Sequence, residues 1–213
     1  MRIGIVCYPS VGGSGIVGTE LAVQLARRGH EIHLVSSAVP FRLSRFEERI
    51  RFHQVETPTY PLFGEPPYVL ALANKLVEVH RMAGLDVIHA HFAVPHATAA
   101  YLAREIIGPG GPRVVTTLHG TDITLMAADP SFTEIIAFSI NRSDAVTAVS
   151  ESLRTDTVTL LPVDRPVRVI PNFLDCARWR RQESEGLRRR LAPEGERVLM
   201  HMSNFRRVKR PWD

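Results

Sequence analysis

The chain has 213 residues, of which 45% are hydrophobic, and a formal net charge of +4 at pH 7. A chain of this length can bury a sizeable core, and the lack of a long apolar run excludes a helical membrane span. The two cysteines, Cys7 and Cys176, lie too far apart in sequence to indicate a disulfide framework or a zinc knuckle. The sequence opens on a strand pattern instead of a leader peptide, so we expect a cytoplasmic protein.

Short runs rich in Val and Ile alternate with helix-spaced apolar patterns along most of the chain. The runs that predict strands are 3–7, 32–35, 50–55, 87–90, 114–117, 145–149 and 167–170. The patterns that predict helices lie near 15–28, 67–82, 95–107, 131–141 and 150–160. This alternation predicts an α/β fold with a doubly wound, mostly parallel sheet. Ligands of such sheets bind beyond the carboxyl ends of the strands.

The pattern changes after the seventh predicted strand. An Arg-rich helical pattern covers 179–191, and residues 197–202 predict a fresh strand with a polar loop behind it. We therefore expect a Rossmann-like domain over 1–171, a linker over 172–196, and the first strand and phosphate loop of a second domain over 197–213.

The turn between the first predicted strand and the first predicted helix contains Gly13, Ser14 and Gly15. A helix that begins in such a turn leaves its first backbone N–H groups unpaired, with the positive end of its dipole behind them. This arrangement favours an anion, usually a phosphate, and the Ser14 hydroxyl can add a donor. An alternative is that the glycines only permit tight packing of strand against helix.

The same turn also matches the dinucleotide-binding fingerprint, Gly13-x-Gly15-x-x-Gly18. The fingerprint predicts an oxidoreductase as an alternative function. The second predicted strand ends without the acidic residue that would hold an adenosine ribose, whereas Arg42 and Arg45 favour a 2′-phosphate. The alternative enzyme would therefore use NADP.

Histidines follow the fourth and fifth predicted strands. His89 and His91 lie two residues apart, so their side chains face the same side, and with His119 and Asp122 they offer a metal site. No cysteine or second acidic residue stands at a suitable spacing. The pattern therefore favours hydrogen bonding to local groups over a metal.

Several polar residues come directly after predicted strands, which places them on one rim of the sheet: Ser14, His91, Thr117, His119 and Asn172. The polar loop 203–210 is strongly basic and, together with the glycine turn, would grip a pyrophosphate from two sides. Alternatives are a solvated charge run or a nucleic-acid-binding segment. The nucleic-acid alternative lacks interleaved aromatic residues beyond Trp179 and Phe205.

Six segments in combination resemble a known family: 7–15, 36–42, 88–91, 116–122, 146–150 and 203–210. They are similar to the retaining group 1 glycosyltransferases (family 4) of the GT-B fold, in the branch that acts in bacillithiol biosynthesis. The resemblance runs over essentially the whole chain. It implies transfer of N-acetylglucosamine from UDP-N-acetylglucosamine to the hydroxyl of L-malate, with retention and with no essential metal or cofactor. The expected partners are therefore these small-molecule substrates and not a nucleic acid. Whether the protein forms a homo-oligomer is left open.

The resemblance also implies site residues. Acceptor binding would fall to Gly13, Ser14, Gly15, Arg42, Phe92, Thr117 and Asn172, with Phe92 standing where the family leads us to expect tyrosine. Donor binding would fall to Gly15, His119, Asn204, Arg206, Lys209 and Arg210. The residues expected to act in catalysis are His119, Arg206, Lys209 and Arg210. Family members continue through a complete second domain, so we expect the 213-residue chain alone to be inactive.

Overall fold

A computed structural model describes residues 1–43, 47–58, 65–126, 129–182, 184–203, 205, 210 and 212. Two compact units make up the chain, Met1–Asn172 and Phe173–Asp213. None of the helices in the described residues is long and apolar enough to cross a membrane.

The first unit is built on a seven-stranded sheet in the order β3-β2-β1-β4-β5-β6-β7. Every neighbouring pair is parallel. The strands are β1 Arg2–Val6, β2 Glu31–Ser36, β3 Ile50–Gln54, β4 Val87–His91, β5 Arg113–Leu118, β6 Ala145–Ala148 and β7 Val167–Val169. The α/β class and the doubly wound sheet predicted from the sequence are confirmed. The strand order reverses between β1 and β4, which is where ligands of such sheets bind.

Five helices connect these strands: α1 Ser14–Arg27, α2 Tyr68–Ala83, α3 Thr98–Ile107, α4 Pro130–Asn141 and α5 Glu151–Leu160. Two short π-helical turns, Ala93–Ala97 and Asp122–Met126, follow β4 and β5. Local chemistry sets several helix ends. Asp129 caps α4 and Ser150 caps α5 through side-chain oxygens, while Gly84 ends α2 in the left-handed conformation with φ 66°.

The core lies on both faces of the sheet. On one face, Val6, Ile88 and Val114 pack with α2 and α3. On the opposite face, Ile5 and Cys7 pack with α1 and the buried residues of β2. Because side chains alternate along a strand and Ile5 is the register partner of His89, the histidines of β4 lie on the face that carries α1.

The second unit contains one helix in its described residues, α6 Glu185–Leu191, and none of the residues of α6 is buried. The Arg-rich segment predicted as helical from 179 is therefore helical only from Glu185. Before it, the Asp175 carboxylate accepts a hydrogen bond from the backbone N–H of Ala177 at 3.0 Å, which favours a turn over a helix.

The strand predicted over 197–202 is not formed in the structure. Leu199, Met200 and Met202 are 98%, 84% and 88% exposed. A β-strand needs a hydrogen-bonded neighbour, and among the described residues of this unit there is none. The assignment of 172–196 to a linker and of 197–213 to a second domain stays a prediction.

Candidate functional site

The candidate site is the edge of the sheet where the carboxyl ends of β1, β4 and β5 meet. The glycine turn follows β1, His91 ends β4, and His119 comes directly after β5. This edge includes the reversal of strand order between β1 and β4. The structure thus brings together four of the five rim residues expected from the sequence: Ser14, His91, Thr117 and His119.

Asn172 lies apart from these four. It is exposed and follows β7, which is three strand positions from β4. Three strand spacings amount to about 14 Å. Arg42 is also engaged elsewhere, since its Nε lies 4.0 Å from Glu20 Oε1 on α1.

The glycine turn folds tightly onto the start of α1. A Cβ at Gly15 would lie 2.5 Å from the carbonyl oxygen of Tyr8 and 2.7 Å from that of Ser10, so the backbone leaves no room for a side chain. Gly13 adopts φ 55°, a conformation that favours glycine. A Cβ at Gly18 would lie 3.0 Å from the Cβ of Cys7. Gly15 thus permits close approach of backbone to backbone, and Gly18 permits close packing of α1 against Cys7.

The amino end of α1 offers backbone donors. Gly13 occupies the cap position without a side-chain cap, and the first turn of α1, all of which is described, holds no acidic residue. The first intrahelical bond is made by the N–H of Val17 to the carbonyl of Gly13 at 3.2 Å. The N–H groups that precede Val17 therefore point toward the site without a helical partner. This end of α1 is suited to an anion.

Four histidines form the second part of the site, here called the histidine cluster: His89, His91, His96 and His119. The Nδ1 of His91 lies 2.8 Å from the Nε2 of His119, and the two rings lie edge to edge with centroids 5.1 Å apart and planes inclined by 21°. His89 stacks on His91 with ring centroids 4.7 Å apart. His96 bonds through Nδ1 to the carbonyl oxygen of His91. These contacts hold the rings in place.

A chain of hydrogen bonds links the cluster to β6. The Nε2 of His89 lies 2.7 Å from the hydroxyl of Thr117, which lies 2.8 Å from the hydroxyl of Thr147. Thr117 is 8% exposed and already bonds two partners. A hydroxyl has one proton and two lone pairs, so one further contact with a substrate oxygen stays within its capacity.

Asp122 ties the His119 loop to the loop after β4. Its carboxylate accepts hydrogen bonds from the backbone N–H groups of His119 (3.3 Å), Gly120 (3.1 Å) and Ala93 (3.2 Å). The side chain is fully buried. Burial raises the pKa of Asp122, and the three N–H donors offset part of this rise.

Ring nitrogens of His89, His91, His96 and His119 bond local groups, and the expectation that no metal binds here stays a prediction. Within the described residues, no group of three or more His, Cys, Asp or Glu side chains is arranged to hold a metal ion.

Aromatic rings connect the glycine turn to the cluster. Tyr8 lies 4.5 Å from the ring of His96 and 5.6 Å from Phe92, and Phe92 lies 5.2 Å from His119. Phe92 has φ 95°, which is strained for a residue with a side chain. Its N–H bonds the carbonyl of Thr117 at 2.9 Å. The strained backbone therefore holds an aromatic ring beside His119.

The histidine cluster is uncharged at neutral pH. Desolvation by burial lowers the pKa of His89, His96 and His119 to about 4, and it lowers the pKa of His91 well below its ordinary value. The imidazoles therefore act as neutral hydrogen-bonding groups, and attraction for an anion has to come from backbone N–H groups or from other side chains.

Several residues of this site were not predicted from the sequence. Thr147 is the register partner of Thr117, so strand pairing would have placed the two hydroxyls side by side. Tyr8 and the contact of His96 with His91 carry no comparable sequence signal. Three donor-site residues expected from the resemblance, Asn204, Arg206 and Lys209, lie outside the described residues. Arg210 is described and is exposed.

Comparison with known proteins adds family information. The sequence model described as Glycosyltransferase Family 4 matches residues 11–178. The chain is 49% identical over 214 residues to N-acetyl-alpha-D-glucosaminyl L-malate synthase of Bacillus anthracis. That alignment covers 100% of this chain and 56% of the relative, so the chain spans little more than half the length of this curated relative.

Solved structures share the fold. A glycosyltransferase from Rickettsia africae ESF-5 superposes with a TM-score of 0.64 at 21% identity, over 83% of this chain and 44% of that chain. Anabaena Alr3699/HepE, solved in complex with UDP and glucose, superposes with a TM-score of 0.64 at 18% identity, over 90% and 50%. At these identities the likeness concerns the fold alone.

Proposed function

Because the chain belongs to glycosyltransferase family 4, we propose that it forms the acceptor side of a retaining glycosyltransferase. The enzyme transfers N-acetylglucosamine from UDP-N-acetylglucosamine to the hydroxyl of L-malate. The substrates follow from the name of the Bacillus anthracis relative, to which the chain is 49% identical along its whole length. The observation that carries the proposal is the uncapped amino end of α1, which lies at the same edge of the sheet as the neutral His119.

Malate is a dianion with one hydroxyl, and the edge of the sheet suits both features. A carboxylate of malate accepts hydrogen bonds from the unpaired N–H groups of α1, where the helix dipole adds a favourable term of about 0.3–1 kcal/mol. The remaining hydrogen-bonding capacity of Thr117 orients the attacking hydroxyl. Arg42 is a weaker candidate for the second carboxylate because it lies close to Glu20.

Departure of UDP places negative charge on the β-phosphate. We assign stabilisation of this charge to Arg206, Lys209 and Arg210, with Asn204 and His119 helping to hold the donor, as the family resemblance implies. Preorganised donors of this kind act mainly on the transition state. The reaction as proposed requires no metal or cofactor.

Retention of configuration is proposed to arise by attack on the face that the diphosphate leaves. A double displacement needs a free carboxylate beside the sugar. Asp122 is the buried carboxylate beside His119, and both its oxygens already accept backbone N–H groups. It is therefore unsuited to act as a nucleophile, and the leaving phosphate takes the proton of the acceptor.

The proposed substrates are small molecules, and we place the protein in the cytoplasm. The chief alternative, an NADP-dependent oxidoreductase, shares the glycine turn. However, β2 ends at Ser36, so the position where that class holds the ribose carries no acid.

The test is a UDP-release assay on two samples. One is the 213-residue chain. The other is a chimera that joins this chain to the part of the Bacillus anthracis relative beyond the alignment. We expect the chimera to release UDP from UDP-N-acetylglucosamine only when L-malate is present. The 213-residue chain alone should release none.

Succinate serves as the matched control ligand because it keeps both carboxylates of malate and lacks the hydroxyl. It should inhibit competitively with L-malate and give no product. UDP release from the chimera that does not depend on L-malate, or NADPH oxidation by either sample, would overturn the proposal.

A further inference from the structure

In the contact between His91 and His119, one of the two facing ring nitrogens must carry a proton. The Nδ1 of His91 and the Nε2 of His119 are 2.8 Å apart, so one of them donates and the other accepts. Both imidazoles are neutral, because burial lowers the pKa of each. Each ring therefore carries a single proton, and the direction of this bond decides whether the other ring nitrogen of His119, Nδ1, is a donor or an acceptor.

His96 shows how the surroundings fix a tautomer here. Its Nδ1 bonds the carbonyl oxygen of His91, which can only accept. The proton of His96 is therefore on Nδ1, and its Nε2 carries a lone pair. That Nε2 is buried without a hydrogen-bond partner. The unsatisfied atom of His96 is thus an acceptor.

The surroundings of His91 also determine which of its ring nitrogens carries the proton. Its Nε2 is buried and has no partner in the described residues. The adjacent Cδ2 lies only 3.5 Å from the position of a Cβ on Gly18, so this edge of the ring packs against α1. A buried N–H without an acceptor is rarer than an unsatisfied acceptor. The arrangement at lower free energy therefore places a lone pair on Nε2 and the proton on Nδ1.

If His91 carries its proton on Nδ1, it donates to the Nε2 of His119. His119, being neutral, then carries its own proton on Nδ1, the ring nitrogen that does not bond His91. The backbone of His119 is fixed by Asp122, and Phe92 lies beside its ring. The orientation and the tautomer of His119 are then both determined by neighbouring groups.

We propose that His91 is a positioning residue that holds His119 as the Nδ1–H tautomer, so that His119 presents a hydrogen-bond donor to the site. Only the identity of the oxygen that accepts this bond, an oxygen of the sugar donor, rests on the proposed function. The tautomer itself is a property of the folded chain without substrate.

The first test is ¹⁵N NMR of the 213-residue chain with labelled histidine, which distinguishes protonated from unprotonated ring nitrogens. We expect His119 with protonated Nδ1 and unprotonated Nε2, and His91 with protonated Nδ1. A wild-type His119 that is protonated on Nε2 would overturn the proposal, whatever the enzyme's substrates are.

Substitutions give a second, independent readout. His91→Leu removes the donor, so the His119 ring should shift toward the Nε2–H tautomer. His91→Gln keeps an amide N–H that can donate to His119 Nε2 and should restore the Nδ1–H form. His30→Gln, a change in the loop before β2 at the amino end of the sheet, serves as control and should leave the spectrum of His119 unchanged.

In the chimera assayed for UDP release, His91→Leu should lower kcat/KM for UDP-N-acetylglucosamine about tenfold, the value of one hydrogen bond, and His91→Gln should recover most of this loss. A tautomer that is unaltered in both folded variants would refute the positioning role. A correct tautomer together with an absence of transfer activity would refute the proposed function alone.

Discussion

The glycine turn with α1 and the histidine cluster lie at the same edge of the sheet, yet they are built in opposite ways. The amino end of α1 has no side-chain cap and no acidic residue in its first turn, so it offers unpaired backbone donors. In the cluster, half of the eight ring nitrogens bond one another or neighbouring groups of the protein, and burial keeps the rings uncharged. The amino end of α1 is therefore suited to attract an anion, and the histidine cluster is suited to orient neutral groups.

Acid should affect the histidine cluster most. A histidine whose pKa is lower in the folded than in the unfolded chain takes up its proton on unfolding, so a fall in pH favours the unfolded state. The unfolded pKa is about 6.5, and the folded values of His89, His96 and His119 are about 4. Each of these residues should remove about 1.4 kcal/mol of stability per pH unit between about pH 6 and pH 4, where the unfolded chain binds the proton and the folded chain does not.

Urea unfolding at a series of pH values from 7.5 to 5 measures this loss. His96→Gln keeps an amide N–H for the carbonyl of His91 and removes one titrating group. The change of unfolding free energy with pH should therefore become shallower by the contribution of about one proton. A free energy of unfolding that stays constant from pH 7 to pH 5 would contradict the burial of neutral histidines.

Removal of the Asp122 carboxylate should be the most damaging single substitution in this part of the site. Asp122→Ala leaves one buried and two partly buried backbone N–H groups without their acceptor and should cost about 3 kcal/mol of unfolding free energy. Asp129→Ala removes the exposed cap of α4 and should cost only about 1 kcal/mol. Equal losses in chemical denaturation of the two variants would mean that Asp122 is not the anchor of the His119 loop.

Two glycines of the turn between β1 and α1 should differ in their tolerance of alanine. Gly15→Ala places a Cβ 2.5 Å from a carbonyl oxygen, so the backbone must shift, at a cost of about 2 kcal/mol. Gly12→Ala meets nothing within 4 Å and should change stability by less than about 0.5 kcal/mol.

Isothermal titration with L-malate should show loss of binding in Gly15→Ala and retention in Gly12→Ala. If Gly15→Ala lowers the melting temperature as expected and still binds malate, the acceptor does not bind at the amino end of α1.

The threonine pair should give the smallest effect. Thr117→Val deletes a hydroxyl that bonds both His89 and Thr147, and it should raise the Michaelis constant for malate in the chimera by an amount equivalent to about 1 kcal/mol. Thr147→Val removes only the outer end of this chain and should have a weaker effect. The affinity for UDP should stay nearly the same in both. A larger effect of Thr147→Val, or a loss of UDP affinity, would show that Thr117 does not orient the acceptor.

The sequence predicted the sheet well because buried parallel strands require continuous Val- and Ile-rich runs, and all seven such runs are strands. It failed at 197–202, where an equally apolar run has no neighbouring strand in the described residues of its unit. A run of this kind indicates the capacity to form a strand, while the strand itself depends on a partner that local sequence does not specify.

The site was predictable in location and less so in detail. Position after a strand was enough to place His91, Thr117 and His119 at one edge, because parallel strands end together. The same reasoning was misleading for Asn172, which follows β7 at the far edge of the sheet. The sequence of a single strand does not specify its position in the strand order. The strained backbone of Phe92 and the ring contact of Tyr8 with His96 arise from tertiary packing and leave no local pattern.

The central claim is that the amino end of α1 receives a carboxylate of the acceptor. Titration of the ¹⁵N-labelled chain with L-malate tests it directly through the backbone amides. Saturable shifts are predicted at Ser14, Gly15 and Ile16 for both L-malate and succinate, with shifts near Thr117 for L-malate alone. Absence of shifts in the first turn of α1, while other amides of the chain respond to L-malate, would contradict the claim.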